Sequence, residues 1–205
     1  MGDIAILPLA LTVMLGPQIL VSMLLITRKD VVKSSLVYTF SITITLLATI
    51  FLYNFLSNSI DLHRTTVGNR PVLKYLLICL FIILIVKNII NRKKITEPPK
   101  WMQGIKTASL SKIFFIGFCL IAFMPTDIIV AFTVGSLVDS AEKSILLEIM
   151  PFLSTVLFIC LLPLVVYFSL GKNGDSYIEK ANNWLNTHGY VINIVVFLFF
   201  IYLLL

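Results

Sequence analysis

Charge is what this chain has least of. Lys, Arg, Asp and Glu make up 13% of its 205 residues, whereas soluble domains carry about 25%. That excludes a water-soluble globule, and also a disordered chain, which would be rich in charge and poor in apolar residues. Cysteine is scarce too: Cys79, Cys119 and Cys160 lie far apart, each inside an apolar run, with no CxxC pair, Cys/His cluster or disulfide framework. They read as packing residues. The two histidines, His63 and His188, fall in loops on opposite sides of the topology derived below. No spanning segment pairs a nucleophile with a base or gathers metal ligands, so neither an enzyme nor a metal or other cofactor is expected.

What the chain has in abundance is apolar residues, 59% of the total, with a mean hydropathy of +1.00. A helix needs about 20 apolar residues to cross roughly 30 Å of hydrocarbon. Runs of that length predict six spans, at about Ile4–Ile26, Ser34–Leu56, Val72–Ile90, Ile113–Val138, Ile145–Leu170 and Gly189–Leu205. The first has no basic n-region or small-residue cleavage site and exceeds signal-peptide length, so it is expected to stay in the mature protein. The fold class is therefore an all-α polytopic membrane protein, a single membrane domain over residues 1–205.

Basic residues near helix ends are retained in the cytoplasm. The gaps after spans one, three and five contain or adjoin twelve Lys and Arg: Arg28, Lys29, Lys33, Lys87, Arg92, Lys93, Lys94, Lys100, Lys106, Lys112, Lys172 and Lys180. The other side has four, Arg64, Arg70, Lys74 and Lys143, which places both termini outside. The formal charge of +6 is thus topological, and no nucleic-acid module is seen. The basic linker 91–111 carries Pro98, Pro99 and Trp101; it reads as a solvated connector or as a gate or lipid-collecting loop. Ser176 and Glu179 have capping-box spacing, and the stretch at about 175–187 reads as an interfacial helix.

The first and fourth spans share an interruption. Met14-Leu-Gly-Pro-Gln-Ile-Leu-Val21 and Phe123-Met-Pro-Thr-Asp-Ile-Ile-Val130 each place a proline near mid-membrane, and Pro17 and Pro125 are 108 residues apart. The break recurs three spans later. Three is odd, so the halves face opposite ways, as two inverted three-helix repeats of about 1–90 and 112–205. Proline removes an amide proton and clashes with the carbonyl four residues back, leaving acceptors that hydrocarbon cannot satisfy. The matched pair is either a static packing kink or the lining of a cavity, with Gly16 adding freedom at the first break.

Asp127 is the only acid inside the apolar part of a span. A carboxylate there costs roughly 2.5–3.5 kcal/mol on insertion scales, so Asp127 should face a polar cavity, pair with a donor or titrate. Thr12 and Gln18 are the candidate donors at the opposite break. In span two, Tyr38, Ser41, Thr45 and Thr49 recur at helical steps, with Asn54 beyond them. Such hydroxyls either pack helices closely or line a cavity. Span five should bend at Pro151 and Pro163, and span three reads as lipid-facing.

Three stretches resemble the GAP/Sap family, the peptidoglycolipid- and sulfolipid-addressing proteins of the lysine-exporter superfamily. They are Leu9–Ile26 with its Gly16-Pro17, AFMPTDIIVAFTVGSL from Ala122 to Leu137, and the ending IEKANNWLNTHGYVINIVVFLFFIYLLL. Met124 stands where that family usually has asparagine, and the paired membrane cysteines of its thiol-transferring relatives are missing. The resemblance implies a six-helix inverted-repeat fold that moves small or lipid-like molecules.

The expected function is a plasma (cell inner) membrane, multi-pass transporter or exporter of a small or lipid-like substrate, working by alternating access. Gly16, Pro17, Gln18, Pro125, Thr126 and Asp127 would form its substrate or proton site, and Thr12, Tyr38, Ser41, Thr45 and Thr49 a cavity wall. The alternative is a non-transporting lipid-binding or envelope-assembly protein. Membrane lipids are the expected partners, with a homodimer as the one oligomer allowed for.

Overall fold

Two prolines decide where the chain bends. In the computed structural model, which describes residues 7–14, 16–59, 71–90, 104–137 and 144–170 and separate positions between 180 and 202, Pro17 and Pro125 each open a helix. At that position the missing N–H costs nothing. The first predicted span is thus two helices, α1 (Leu7–Met14) and α2 (Pro17–Leu25). Between them the Gly16 amide reaches back to the Met14 carbonyl at 3.0 Å. After α3 (Val31–Ser59) and α4 (Pro71–Ile90), the fourth predicted span repeats the arrangement as α5 (Leu110–Phe123) and α6 (Pro125–Leu137). Met124 sits between them with φ −75° and ψ 125°, the extended geometry forced on a residue before proline. Its carbonyl accepts the amides of Asp127 at 3.1 Å and Ile128 at 3.0 Å, and α5 and α6 meet at a 69° bend.

The last long element, α7 (Ile145–Leu170), runs unbroken through Pro151 and Pro163. Thr155 donates to the Pro151 carbonyl at 2.8 Å and Ser154 to the same oxygen at 2.9 Å. All regular structure among the described residues is helical. α3 and α7 are long and apolar enough to cross a membrane, and the bent α5–α6 pair adds a third crossing if counted as one. The described positions in the sixth predicted span are helical, as are Lys180, Trp184 and Thr187 within the expected interfacial helix. The Ser176–Glu179 capping pair and the Pro98–Trp101 part of the linker lie outside the described residues.

The far end of that linker is packed against the helices. Residues Gly104–Thr107 form a 3₁₀ turn with Ile105 fully buried. Arg28, in the connection between α2 and α3, donates to the carbonyls of Ile105 at 2.5 Å and Lys106 at 3.2 Å. The same guanidinium grips Asp30 at 2.8 and 3.1 Å, holding that carboxyl below its ordinary pKa, chiefly through this hydrogen bond. Ser109 then caps α5 by accepting the Lys112 amide at 3.3 Å.

The helices exchange partners between halves. α3 packs against α5 and α6, while α7 packs against α1 and α2, so each long helix lies on the broken pair from the other half of the chain. Two glycines set the spacing along α3. A Cβ on Gly117 would stand 2.9 Å from Ser41 Oγ, and one on Gly135 would stand 2.8 Å from the Ile50 carbonyl oxygen and 3.0 Å from the Asn54 amide nitrogen. Asn54 Nδ2 donates to the Gly135 carbonyl at 2.8 Å, and Ser41 Oγ to that of Phe114 at 2.6 Å. Leu46, Ile50, Val130, Val134 and Phe152 fill the fully buried interior. The exposed side chains of α4, including Tyr75, Ile82, Ile83 and Ile90, suit the lipid-facing role read for span three.

Gly135→Ala should cost about 1–3 kcal/mol, the usual cost of overpacking, because backbone on both helices must part. Gly104→Ala, with nothing within 4 Å of the new atom, should leave thermal unfolding in detergent unchanged. Equal melting of the two variants would refute the close α3–α6 contact. A lowered carboxylate pKa contributes stability above the ordinary value, and that contribution is lost as pH falls through the folded value. Acidification below about pH 4 should therefore loosen residues 104–107, and Asp30→Asn should reproduce this at neutral pH, both read by hydrogen exchange.

Candidate functional site

The two breaks meet. Gln18 stands second in α2, directly after Pro17, and Asp127 third in α6, after Pro125 and Thr126. Gln18 Nε2 donates to Asp127 Oδ2, although the residues are 109 positions apart. Both side chains are buried, each 1% exposed. The Asp127 carboxyl group lies in the first turn of α6, at the positive end of the helix dipole. Thr126 Oγ1 stands 3.4 Å from Oδ1, and the Gln18 amide also lies 3.5 Å from the Met124 thioether. These partners are neutral, so none of them would offset a charge on the carboxyl group.

Gly16 makes this possible at close quarters. A Cβ there would fall 2.8 Å from Gln18 Oε1, so a side chain at residue 16 would push the Gln18 amide from its place over the break. The Gln18 carbonyl is occupied as well, accepting Tyr38 Oη at 3.0 Å and Ser22 Oγ at 3.2 Å. Ser22 Oγ and Thr39 Oγ1 in turn lie 3.6 and 3.4 Å from Cys160 Sγ. A polar seam therefore crosses the apolar interior from α6 through α2 and α3 to α7.

Of the sequence-predicted residues, Gly16, Pro17, Gln18, Pro125, Thr126 and Asp127 come together at the junction. Pro125 and Thr126 are on its exposed side. Thr12 is buried on α1, and Tyr38 reaches the cluster directly. The rest of the hydroxyl stripe bonds to backbone: Ser41 to α5, Thr45 to the Ser41 carbonyl at 2.7 Å, and Thr49 to that of Thr45 at 2.9 Å. Sequence reasoning passed over Ser22, which helical spacing four residues after Gln18 would have flagged. It also passed over Cys160 as a member of the seam, since a lone thiol in an apolar run carries no such signal. Among the described residues, no three His, Cys, Asp or Glu side chains converge to hold a metal.

A family model described as Sap, sulfolipid-1-addressing protein, matches residues 6–205. Neither a curated protein nor a solved structure matches the chain. The family match takes in both breaks, the Gln18–Asp127 contact and every described helix, and the chain belongs to the Sap, sulfolipid-1-addressing protein family.

Proposed function

We propose that this protein is an integral membrane transporter or exporter of a lipid-like molecule, with the Gln18–Asp127 junction at its centre. The family description names sulfolipid addressing, so the substrate class assigned is a sulfated lipid or a small molecule of similar amphipathic character. The carrying observation is the hydrogen bond between the two breaks. Proline-freed backbone and a carboxylate are placed together at one point between the halves, where rocking of one against the other would break and remake a polar contact. The exchange of long helices between broken pairs supports two repeats. Six spans with both termini outside, in the plasma membrane, complete the reading. Within it no residue has a catalytic role, and membrane lipids are the main partners.

The closure of the junction, with both side chains 1% exposed, supports a second reading as well. A static lipid-binding or envelope-assembly protein would also keep its internal polar groups paired. Native mass spectrometry would then find a specific lipid retained, while reconstituted protein would give no flux.

Deleting the gene should deplete one polar lipid from the cell exterior and raise it inside, and the wild-type gene should restore it. An unchanged lipid distribution would sink the transport reading. In proteoliposomes, Asp127→Asn keeps an acceptor for Gln18 but removes the charge. It should abolish pH-gradient-driven transport while thermal unfolding stays the same, and intact transport would remove Asp127 from coupling. An intramolecular hydrogen bond contributes about 0.5–1.5 kcal/mol, so Gln18→Ala should lower transport by up to about tenfold. Gly16→Ala, which displaces the same amide, should match it.

A further inference from the structure

At the opposite end of α3 from Asn54, the start of α3 and the end of α7 border an open cleft of about 450 Å³. Lys29, Val31, Val32 and Lys33 line it from the start of α3, and Tyr167 and Phe168 from the end of α7. We propose that this cleft binds the headgroup of an anionic phospholipid, whose acyl chains lie along the exposed apolar faces of α3 and α7.

Charge comes first. Among the described residues the one carboxylate lining the cleft, Asp30, is taken up by the Arg28 guanidinium through two bonds of 2.8 and 3.1 Å. Arg28 itself is largely buried, its side chain 8% exposed. Among the described residues neither Lys29 nor Lys33 makes an ion pair, although Lys33 also acts on Asp30 through space, so the cleft presents two ammonium groups to an incoming anion. The first amides of α3 have no intrahelical partner and add a positive dipole end to the same wall. The Asp30 carbonyl already accepts the Ser34 amide at 2.9 Å, which fixes that helix start.

The apolar surroundings select a lipid over a free anion. Val32, Leu36 and Phe40 follow one another at four-residue steps down α3 and are 43, 52 and 60% exposed. On α7, Phe168 and Val165 are 63 and 55% exposed. These stripes start at the cleft and run into the two candidate spans, so a phosphate held by the lysines would have its acyl chains on hydrocarbon-facing side chains. Tyr167 and Phe168, edge to face at 5.6 Å, occupy the headgroup level where aromatic residues collect.

Full-length protein in detergent, offered equal phosphatidylglycerol and phosphatidylcholine, should show by native mass spectrometry a roughly 30-fold preference for the anionic lipid, equivalent to about 1 kcal/mol per lysine. Lys29→Gln with Lys33→Gln should collapse that preference at unchanged melting temperature. Lys87→Gln with Lys112→Gln, which removes two exposed lysines elsewhere, should keep it, and so should Asp127→Asn. Millimolar inorganic phosphate should not displace the lipid. The proposal is overturned if wild-type protein shows no preference, if the first double variant retains it, or if the second loses as much. It also falls if Asp127→Asn removes the preference, which would put the lipid at the central junction, or if inorganic phosphate competes, which would make the cleft a site for free anions.

Discussion

The constraint beneath this architecture is that hydrocarbon offers no hydrogen bonds to a broken backbone. Each proline both interrupts a helix and frees polar groups, so a break deep in an apolar protein survives only where something else answers it. Here the breaks answer each other. Pro17 opens α2 and Pro125 opens α6, and Gln18 and Asp127 in those two first turns bond to each other. Tyr38 and Ser22 then close on the Gln18 carbonyl, and the remaining contacts of α2 with α3 and α7 follow from that arrangement.

The second constraint is spacing. Gly117 and Gly135 let α5 and α6 lie so close to α3 that an added Cβ would overlap Ser41 Oγ or the Ile50 carbonyl. Membrane helices gain no hydrophobic drive from one another and associate through close packing and interhelical bonds. Ser41 and Asn54 supply those bonds along the same contact. α3 and the α5–α6 pair therefore form one tightly keyed body. The α1–α2 pair meets α7 through the looser Ser22–Cys160 contact, and relative movement would be cheapest along that side.

Much of this was legible in the residues. The positions of Pro17 and Pro125 marked both breaks, because proline acts on local backbone whatever surrounds it. The lone intramembrane acid drew attention to Asp127, and the scarcity of polar groups at the opposite break left Gln18 as a candidate donor. α7 ran over the predicted residues, and α3 and α4 began and ended within three of theirs. What the pattern could not carry was anything decided by distant packing. Hydroxyl periodicity in α3 did not distinguish Tyr38, which reaches the junction, from Thr45 and Thr49, which turn back on their own helix. The Arg28 bonds to Ile105 and Lys106 were equally silent, since a basic residue in a loop looks solvated until a carbonyl from a remote segment is brought to it.

The span of 109 residues between Gln18 and Asp127 also has a meaning in time. At about 5–20 residues per second, Asp127 leaves the ribosome roughly 5–20 s after Gln18, so α2 is made seconds before its partner exists. During that interval its amide must be solvated by water or by the insertion machinery, and the first half of the chain is a waiting intermediate. Completion of α6 then supplies the carboxyl group with which the Gln18 amide pairs.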